Sequence, residues 1–496
     1  MNYDAIVVGS GAGGAAAAYR LVMSGLRVLH LEKGGHLPTD GSTLDVERVV
    51  HRGEFLSREL WRDAQGVQLR PEEHFNVGGK TKWYGAAVVR FSPEEFAADS
   101  AHGCRGWPIS LAEMASYYQE AEGLLGVHEI AAEPGLARIL TALTSPGSRW
   151  HSAPMPLALS PEITQYADEA AHFDGFASAR HLKGEAEHSF IERLGGNPRY
   201  VLMTGAEVIA LHALTDSPQR IRGVRVADGR QFLAEHVVLA AGALHSPRLL
   251  ARHLHASGLA ATLPIAAHVG RNLKMHLLTA LVAVGMRRQD DLIRKTRLLT
   301  HEDYPHSSAQ PLGFDSELIA TLLPMFLPRA LRHAISGRAY GFFLQTEDGS
   351  DARNRVLERH TGPAAEPVFD YDERRLAAAC REHRDFTRAL QCSLLRAGLL
   401  GVGKRIGLTG TAHVCGTLIC GDDPTTSVVD AQGRVHGLQG LYVADGSILP
   451  RSSHVNPSLS IYAWGLRVAE LIATSQRSPA LPTQSAPLMP TSRSMG

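Results

Sequence analysis

The chain has 496 residues, more than one ordinary hydrophobic core holds, so two domains or one large composite fold are expected. Lys+Arg and Asp+Glu each total 50, and a formal charge of zero gives no global field toward nucleic acid or an anionic membrane. The cysteines, Cys104, Cys380, Cys392, Cys415 and Cys420, form no CxxC pair, which fits reduced thiols and argues against a zinc site or other bound metal. The opening residues carry Asp4 where a signal peptide would be basic, and a cytoplasmic protein is expected. No apolar run is long enough to form an integral membrane segment. The nearest, 318–331, is interrupted by Pro324 and Pro328 and reads as a buried lid, with a channel wall or a membrane-docking patch as alternatives.

In chain order, Tyr3–Val8 is rich in Val, Ile and Ala, as a buried parallel strand should be. A helix over Ala12–Met23 and a strand over 26–31 complete a βαβ unit. The stretch 107–127 is amphipathic and predicts a helix. Residues 204–211 and 224–243 read as a hairpin-like meander followed by a buried strand ending in small residues, and 276–404 is a mixed region. The expected architecture is an α/β composite: a Rossmann-type nucleotide domain assembled from 1–90, 181–275 and 405–473. A substrate domain with a mixed or antiparallel sheet and helices is inserted as 91–180 and 276–404. Residues 474–496 are rich in Ser, Pro and Thr and are expected to be a disordered tail.

Gly9, Gly11 and Gly14 follow the first strand and open the first helix at Ala12. The spacing serves a tight turn at Gly9, a close backbone approach to a pyrophosphate at Gly11, and a helix N-terminus aimed at that anion. Ala18 and Gly25 are expected to permit close helix-to-strand packing. Glu32 ends the second strand, placed to accept from an adenosine ribose. These residues do not separate FAD from NAD.

The C-terminal stretch reads HVCGT, DDPTTSVVD, LYVADGS and then HVNPSLSIYAWGLR. His413, before a small glycine-containing turn, offers a base of near-neutral pKa and forms with Asn456 a proton-handling pair beside a cofactor. Asn456 and Pro457 read as the cap and first residue of an amphipathic helix whose N-terminus can stabilise negative charge. His454 is the alternative base, Cys415 reads as a small packing residue, and Asp445 with Gly446 reads as either a plain turn or a cofactor contact. His245, His253 and His255 receive no chemistry in a chain with 25 histidines.

FNVGGKTKWYGAA (75–87), GALHSPRLL (242–250), VGRNLKMH (269–276) and the C-terminal stretch together resemble the signatures of the glucose-methanol-choline (GMC) oxidoreductases, in the family's order. The resemblance implies FAD, with Gly78 and Gly79 near the flavin and pyrophosphate and with Val208, Asp445, Gly446 and Pro457 in the cofactor set. Some members bind flavin covalently through a histidine; Trp83 stands at that place here, implying noncovalent FAD. It further implies that His413 takes the hydroxyl proton, Asn456 holds the oxygen and hydride passes to flavin N5. QTEDGSDARNRV (345–356) resembles the strand and turn before an active-site wall in related enzymes. Oxygen, or a quinone or protein acceptor, would reoxidise the flavin. The expected substrate is a small-molecule alcohol, nearest a sugar, polyol or glycoside; the 318–331 run favours a sterol or aromatic alcohol instead. A redox-neutral hydroxynitrile lyase, a nicotinamide dehydrogenase and a noncatalytic nucleotide-binding module are the competing classes.

Overall fold

The computed structural model describes residues 3–323, 326–359, 365–410 and 412–477. Its first sheet is the expected nucleotide-binding one. Tyr200–Met203, Val28–Leu31, Tyr3–Val8, Gln231–Leu239 and Leu441–Val443 lie side by side, all parallel, although they come from pieces up to 440 positions apart. The middle of this ladder is mostly apolar because both of its faces are covered; Ile6, Val7, Leu29 and Val238 are fully buried. The strand Gln231–Leu239 serves two sheets. Its first half pairs antiparallel with Ser217–Val226, which continues into Val208–Leu214, and its second half joins the parallel ladder.

Helix Ala12–Met23 presents Ala15, Ala16, Ala17 and Ala18 to this sheet, all fully buried. Small residues let helix and strands approach closely. Gly25 has another role: no atom lies within 4 Å of where its Cβ would stand, and its φ of 95° marks a left-handed turn. The expected packing role thus falls to Ala18, while Gly25 reverses the chain before the second strand, which starts at Val28 rather than 26.

The closing helix, Ser458–Arg477, crosses the first helix at glycines on both sides. A Cβ on Gly13 would sit 1.5 Å from the Ala444 carbonyl oxygen, and one on Gly465 would sit 2.5 Å from that of Gly13. Residues 474–477 are still helical, and 478–496, the rest of the expected tail, lie outside the described residues. Helix Leu111–Leu125 begins inside the 107–127 stretch because Ser110 and Glu113 form a reciprocal capping box. It packs on the closing helix, where Tyr118 Oη and Ser460 Oγ are 2.6 Å apart.

The second sheet is wholly antiparallel. Its order is Leu400–Arg405, Leu277–Val284, Ala339–Thr346, Ser307–Pro311, Arg297–His301 and Trp150–Pro154. Phe386, Leu390 and Leu394 of helix Ala377–Arg396 are fully buried against Leu281, Phe342 and Leu344, giving this half its own core. The 318–331 run divides: Leu318 and Ile319 are buried in helix Ser316–Leu322, whereas Phe326 is 85% exposed. Pro324 lies outside the described residues.

Candidate active site

One continuous cleft runs between the two halves, lined at one end by Gly9, Gly11 and Glu32 and at the other by His413 and Asn456. At the first end, Gly9 adopts φ 100° and leaves no room for a Cβ, which would lie 2.4 Å from the Ala240 carbonyl oxygen. Gly14 is equally confined, 1.9 Å from the Gly9 oxygen by the same construction. Gly11 is not: nothing lies within 4 Å of its Cβ position. It also supplies no side chain to cap helix Ala12–Met23, so the first helix amides remain for an anion. An open space over an uncapped helix N-terminus fits the pyrophosphate of a dinucleotide. Ala12 lines this space, and the Gly78–Gly79 turn closes beside it, with a Cβ on Gly79 3.3 Å from the Gly11 Cα.

Glu32 is oriented before any ligand arrives. Its Oε2 accepts from the Ser10 amide at 3.0 Å and hydroxyl at 2.5 Å, and Oε1 accepts from the Gly34 amide at 2.8 Å. Two bonds fill the acceptor sites of Oε2, and Oε1 keeps one further position for a ribose hydroxyl. Buried His30, overlooked at the sequence level, braces the turn with Nε2 2.9 Å from the Gly9 carbonyl oxygen and Nδ1 2.9 Å from Tyr200 Oη. Burial pushes its pKa down to about 4. Val208 lines the cleft beside Glu32.

Asp445 also faces the cleft, but its carboxylate is engaged by the protein: Oδ2 accepts from Ser246 Oγ at 2.5 Å and the Gly242 amide at 2.9 Å, and Oδ1 from the Ser447 amide at 2.9 Å. It ties together the turns after two parallel strands, leaving Gly446 as the slim neighbour at the cleft wall. Trp83 donates from Nε1 to Asn76 Oδ1 at 3.1 Å and stacks on His74, ring centroids 4.6 Å apart.

At the other end, His413 and Asn456 meet: His413 Nε2 and Asn456 Nδ2 are 3.2 Å apart. Burial holds the His413 pKa well below the ordinary histidine value, and His276, Lys295 and Lys80 push it the same way. A neutral imidazole with an available lone pair is the form a proton acceptor needs. Asn456 is fixed on its other side by Gln310, whose Nε2 donates to Asn456 Oδ1 at 2.8 Å. This corrects the expected capping role. The closing helix starts at Ser458, and its first bond runs from the Ile461 amide to the Pro457 carbonyl, so Pro457 occupies the cap position and Asn456 precedes it. The Asn456 side chain turns into the cleft, to His413, instead of back onto the helix.

His454 points elsewhere. Its Nδ1 lies 2.8 Å from Glu95 Oε1, and that carboxylate raises its pKa against the lowering effect of burial. Cys415 is fully buried, and burial pushes its thiol far up, consistent with an inert packing residue. His102, Cys104 and His306 lie within ligand spacing of one another. Both ring nitrogens of His306 are nevertheless taken by carboxylates, Glu347 at 2.9 Å and Asp99 at 3.1 Å. Sequence reasoning missed His276, Gln310 and Lys295. Only His276 had a signal, the end of VGRNLKMH; Gln310, in strand Ser307–Pro311, and Lys295, in the irregular segment before strand Arg297–His301, belong to no local pattern.

Comparison with known proteins then bears on the chain as a whole. Residues 351–465 match the family model for GMC oxidoreductase, and 7–54 match that for an NAD(P)-binding Rossmann-like domain. Paromamine 6'-oxidase of Streptomyces fradiae is 30% identical, over 95% of this chain and 91% of its own length. The chain belongs to the GMC oxidoreductase family. The 6'''-hydroxyparomomycin C oxidase of Streptomyces lividus is also 30% identical, with the same coverage. The pyridoxine 4-oxidase of "Mesorbium loti" shares the fold at TM-score 0.65 and 19% identity, over 95% of this chain and 99% of that structure. This GMC oxidoreductase is therefore an enzyme acting on alcohol groups, with FAD as its cofactor, and the cradle at Gly11 fits that cofactor's pyrophosphate. No helix among the described residues is long and apolar enough to cross a membrane.

Proposed function

We propose that this GMC oxidoreductase oxidises the hydroxyl of a sugar, polyol or glycoside, with His413 as base and Asn456 as the group that holds the reacting oxygen. The supporting observation is the 3.2 Å contact between His413 Nε2 and Asn456 Nδ2 in the cleft that begins at Gly9 and Gly11. Asn456 has a second amide hydrogen to give to the substrate oxygen, while Gln310 keeps the carboxamide from flipping. The substrate hydroxyl replaces Asn456 as donor to the single lone pair of His413 Nε2, and its proton passes there as the carbon gives up hydride. Bound FAD, noncovalent with Trp83 at the attachment position, supplies the hydride acceptor. Oxygen, or a quinone or protein, then takes the two electrons in a separate half-reaction.

The relatives named for aminoglycoside oxidation support the sugar reading, and Phe314 and Phe343 offer faces for the C–H side of a sugar ring. Another reading rests on the same wall. Leu278, Leu312, Phe314, Phe343 and Ile406 line the cleft, while its Asp174 and Glu73 are paired with Lys295 and Lys80. An apolar wall whose acids are neutralised also suits a sterol or aromatic alcohol. Anaerobic mixing of the FAD-loaded enzyme with a panel of aminosugars, polyols, sterols and aromatic alcohols tests both. Bleaching of flavin absorbance by the sugar set supports the first reading, bleaching by the apolar set alone replaces it with the second, and no bleaching by any alcohol refutes both.

A further inference from the structure

The base has a second partner, on the side away from the cleft. His276 is 4% exposed, and its Nδ1 lies 3.0 Å from His413 Nδ1. Its Nε2 lies 2.8 Å from the Ser453 carbonyl oxygen. His276 and Ser453 both have left-handed backbones, at φ 64° and 72°, a conformation that L residues rarely adopt and that accompanies functional constraint. The Ser453 peptide is itself held in place. Its amide donates to Glu347 Oε1 at 3.1 Å, its hydroxyl donates to Glu95, and Arg451 Nε clamps Glu347 Oε1 at 2.8 Å.

These contacts dictate where the protons are. A carbonyl oxygen only accepts, so His276 Nε2 must carry a hydrogen. A neutral imidazole has one N–H, so His276 Nδ1 is then a bare acceptor. The 3.0 Å contact therefore requires His413 Nδ1 to be the donor, leaving the lone pair of His413 on Nε2, next to Asn456 and the cleft. The reverse arrangement sets two lone pairs against each other at 2.8 Å, or else buries an imidazolium beside His413 with Lys295 and Lys80 nearby.

We propose that His276 is a positioning residue that locks His413 in the Nδ1–H tautomer, through a chain running from the Ser453 carbonyl to His276 and on to His413. The catalytic consequence rests on His413 being the base, as proposed above; the tautomer itself does not. When His413 accepts a proton at Nε2, its Nδ1–H bond to His276 becomes charge-assisted and strengthens. His276 neither touches the substrate nor takes its proton.

The direct test is nitrogen NMR of the 15N-histidine-labelled, FAD-loaded enzyme, with His413 assigned by the signals lost in His413→Asn. The expected result at neutral pH is a protonated Nδ1 and a bare Nε2 on His413; the opposite tautomer overturns the proposal. Kinetics supply a second readout. His276→Ala should slow flavin reduction roughly ten- to hundredfold, a share of the factor a general base contributes, with KM shifted less than about threefold. His276→Asn places Oδ1 where Nδ1 accepts and should recover most of that loss; equal damage by both substitutions overturns the proposal. The groups facing His413 are His276, Asn456, Phe343, Lys295 and Lys80. Should His413→Ala leave flavin reduction unchanged, the assignment of the base fails while the tautomer remains readable.

Discussion

Two glycines three positions apart should respond in opposite ways to the same added methyl group. At Gly14 the methyl would stand 1.9 Å from the Gly9 carbonyl oxygen, far inside van der Waals contact, and neither the turn nor the helix can retreat without opening the ladder. Alanine inside a helix ordinarily gains about 0.5–1 kcal/mol over glycine. The clash reverses the sign, and Gly14→Ala should destabilise even the FAD-free protein by about 1–3 kcal/mol, the usual range for overpacking. At Gly11 the methyl meets no protein atom, and φ −66° with ψ −170° is open to any L residue. The loss of unfolded-chain entropy favours Gly11→Ala by about 0.4–1 kcal/mol. A poorer helix cap offsets this to within about 1 kcal/mol, so apoprotein stability should scarcely change. The space it fills is the cofactor's, and each charge-assisted hydrogen bond lost to the pyrophosphate costs about 1.5–3 kcal/mol, roughly ten- to hundredfold in affinity. Thermal unfolding of the FAD-free variants and FAD titration by fluorescence quenching separate the two effects. A Gly11→Ala protein that binds FAD as tightly as the parent would falsify the cradle, and a Gly14→Ala apoprotein as stable as the parent would refute the packing argument.

His413→Ala should leave the protein yellow and slow flavin reduction by about 10²–10⁴-fold, measured by anaerobic stopped flow; an unchanged rate would move the base elsewhere. Because burial lowers the His413 pKa well below 6.5, the base stays unprotonated through neutrality. The reduction rate should therefore be flat from neutral pH downward and fall only well below pH 6.5; a midpoint at or above that value contradicts the assignment. Arg451→Met strands the carboxylate of Glu347, whose oxygens meet Arg451 Nε at 2.8 Å and Nη2 at 2.5 Å. The expected cost is about 3–5 kcal/mol in chemical denaturation, typical of one partner removed from a buried pair, and a loss below about 1 kcal/mol would show that His306 and the Ser453 amide suffice. In the parent, burial raises the Glu347 pKa but Arg451 and then His306 outweigh it and hold it well below the ordinary carboxylate value, so its stabilisation is complete above that value and fades as pH falls through the lower one. Acid unfolding of Arg451→Met should accordingly set in at higher pH than in the parent.

What the sequence disclosed was chemistry carried by neighbours along the chain. Gly9, Gly11, Gly14 and Glu32 belong to one βαβ unit, whose geometry follows from spacing alone. The pairing of His413 with Asn456 was legible because each sits in its own short signature. The register at the helix start was not: Asn-Pro suits both a cap followed by a first turn and a cap preceded by a free side chain, and Gln310 decides between them from a strand 146 positions away. His276 reaches His413 across 137 positions, through a contact that no periodicity encodes. Gly25 looked like a packing residue because glycine serves both close approach and left-handed turns, and only the dihedral tells which.

The crossing of the first and last described helices bears on how the protein is made. Gly13 is synthesised more than 400 residues before its contacts at Ala444 and Gly465, which arrive only when nearly the whole described chain has left the ribosome. Until then the phosphate turn lacks its lid and the last parallel strand is missing. A growing chain therefore has no finished flavin site to fill before Gly465 has been made, and cofactor loading has to follow synthesis of that stretch.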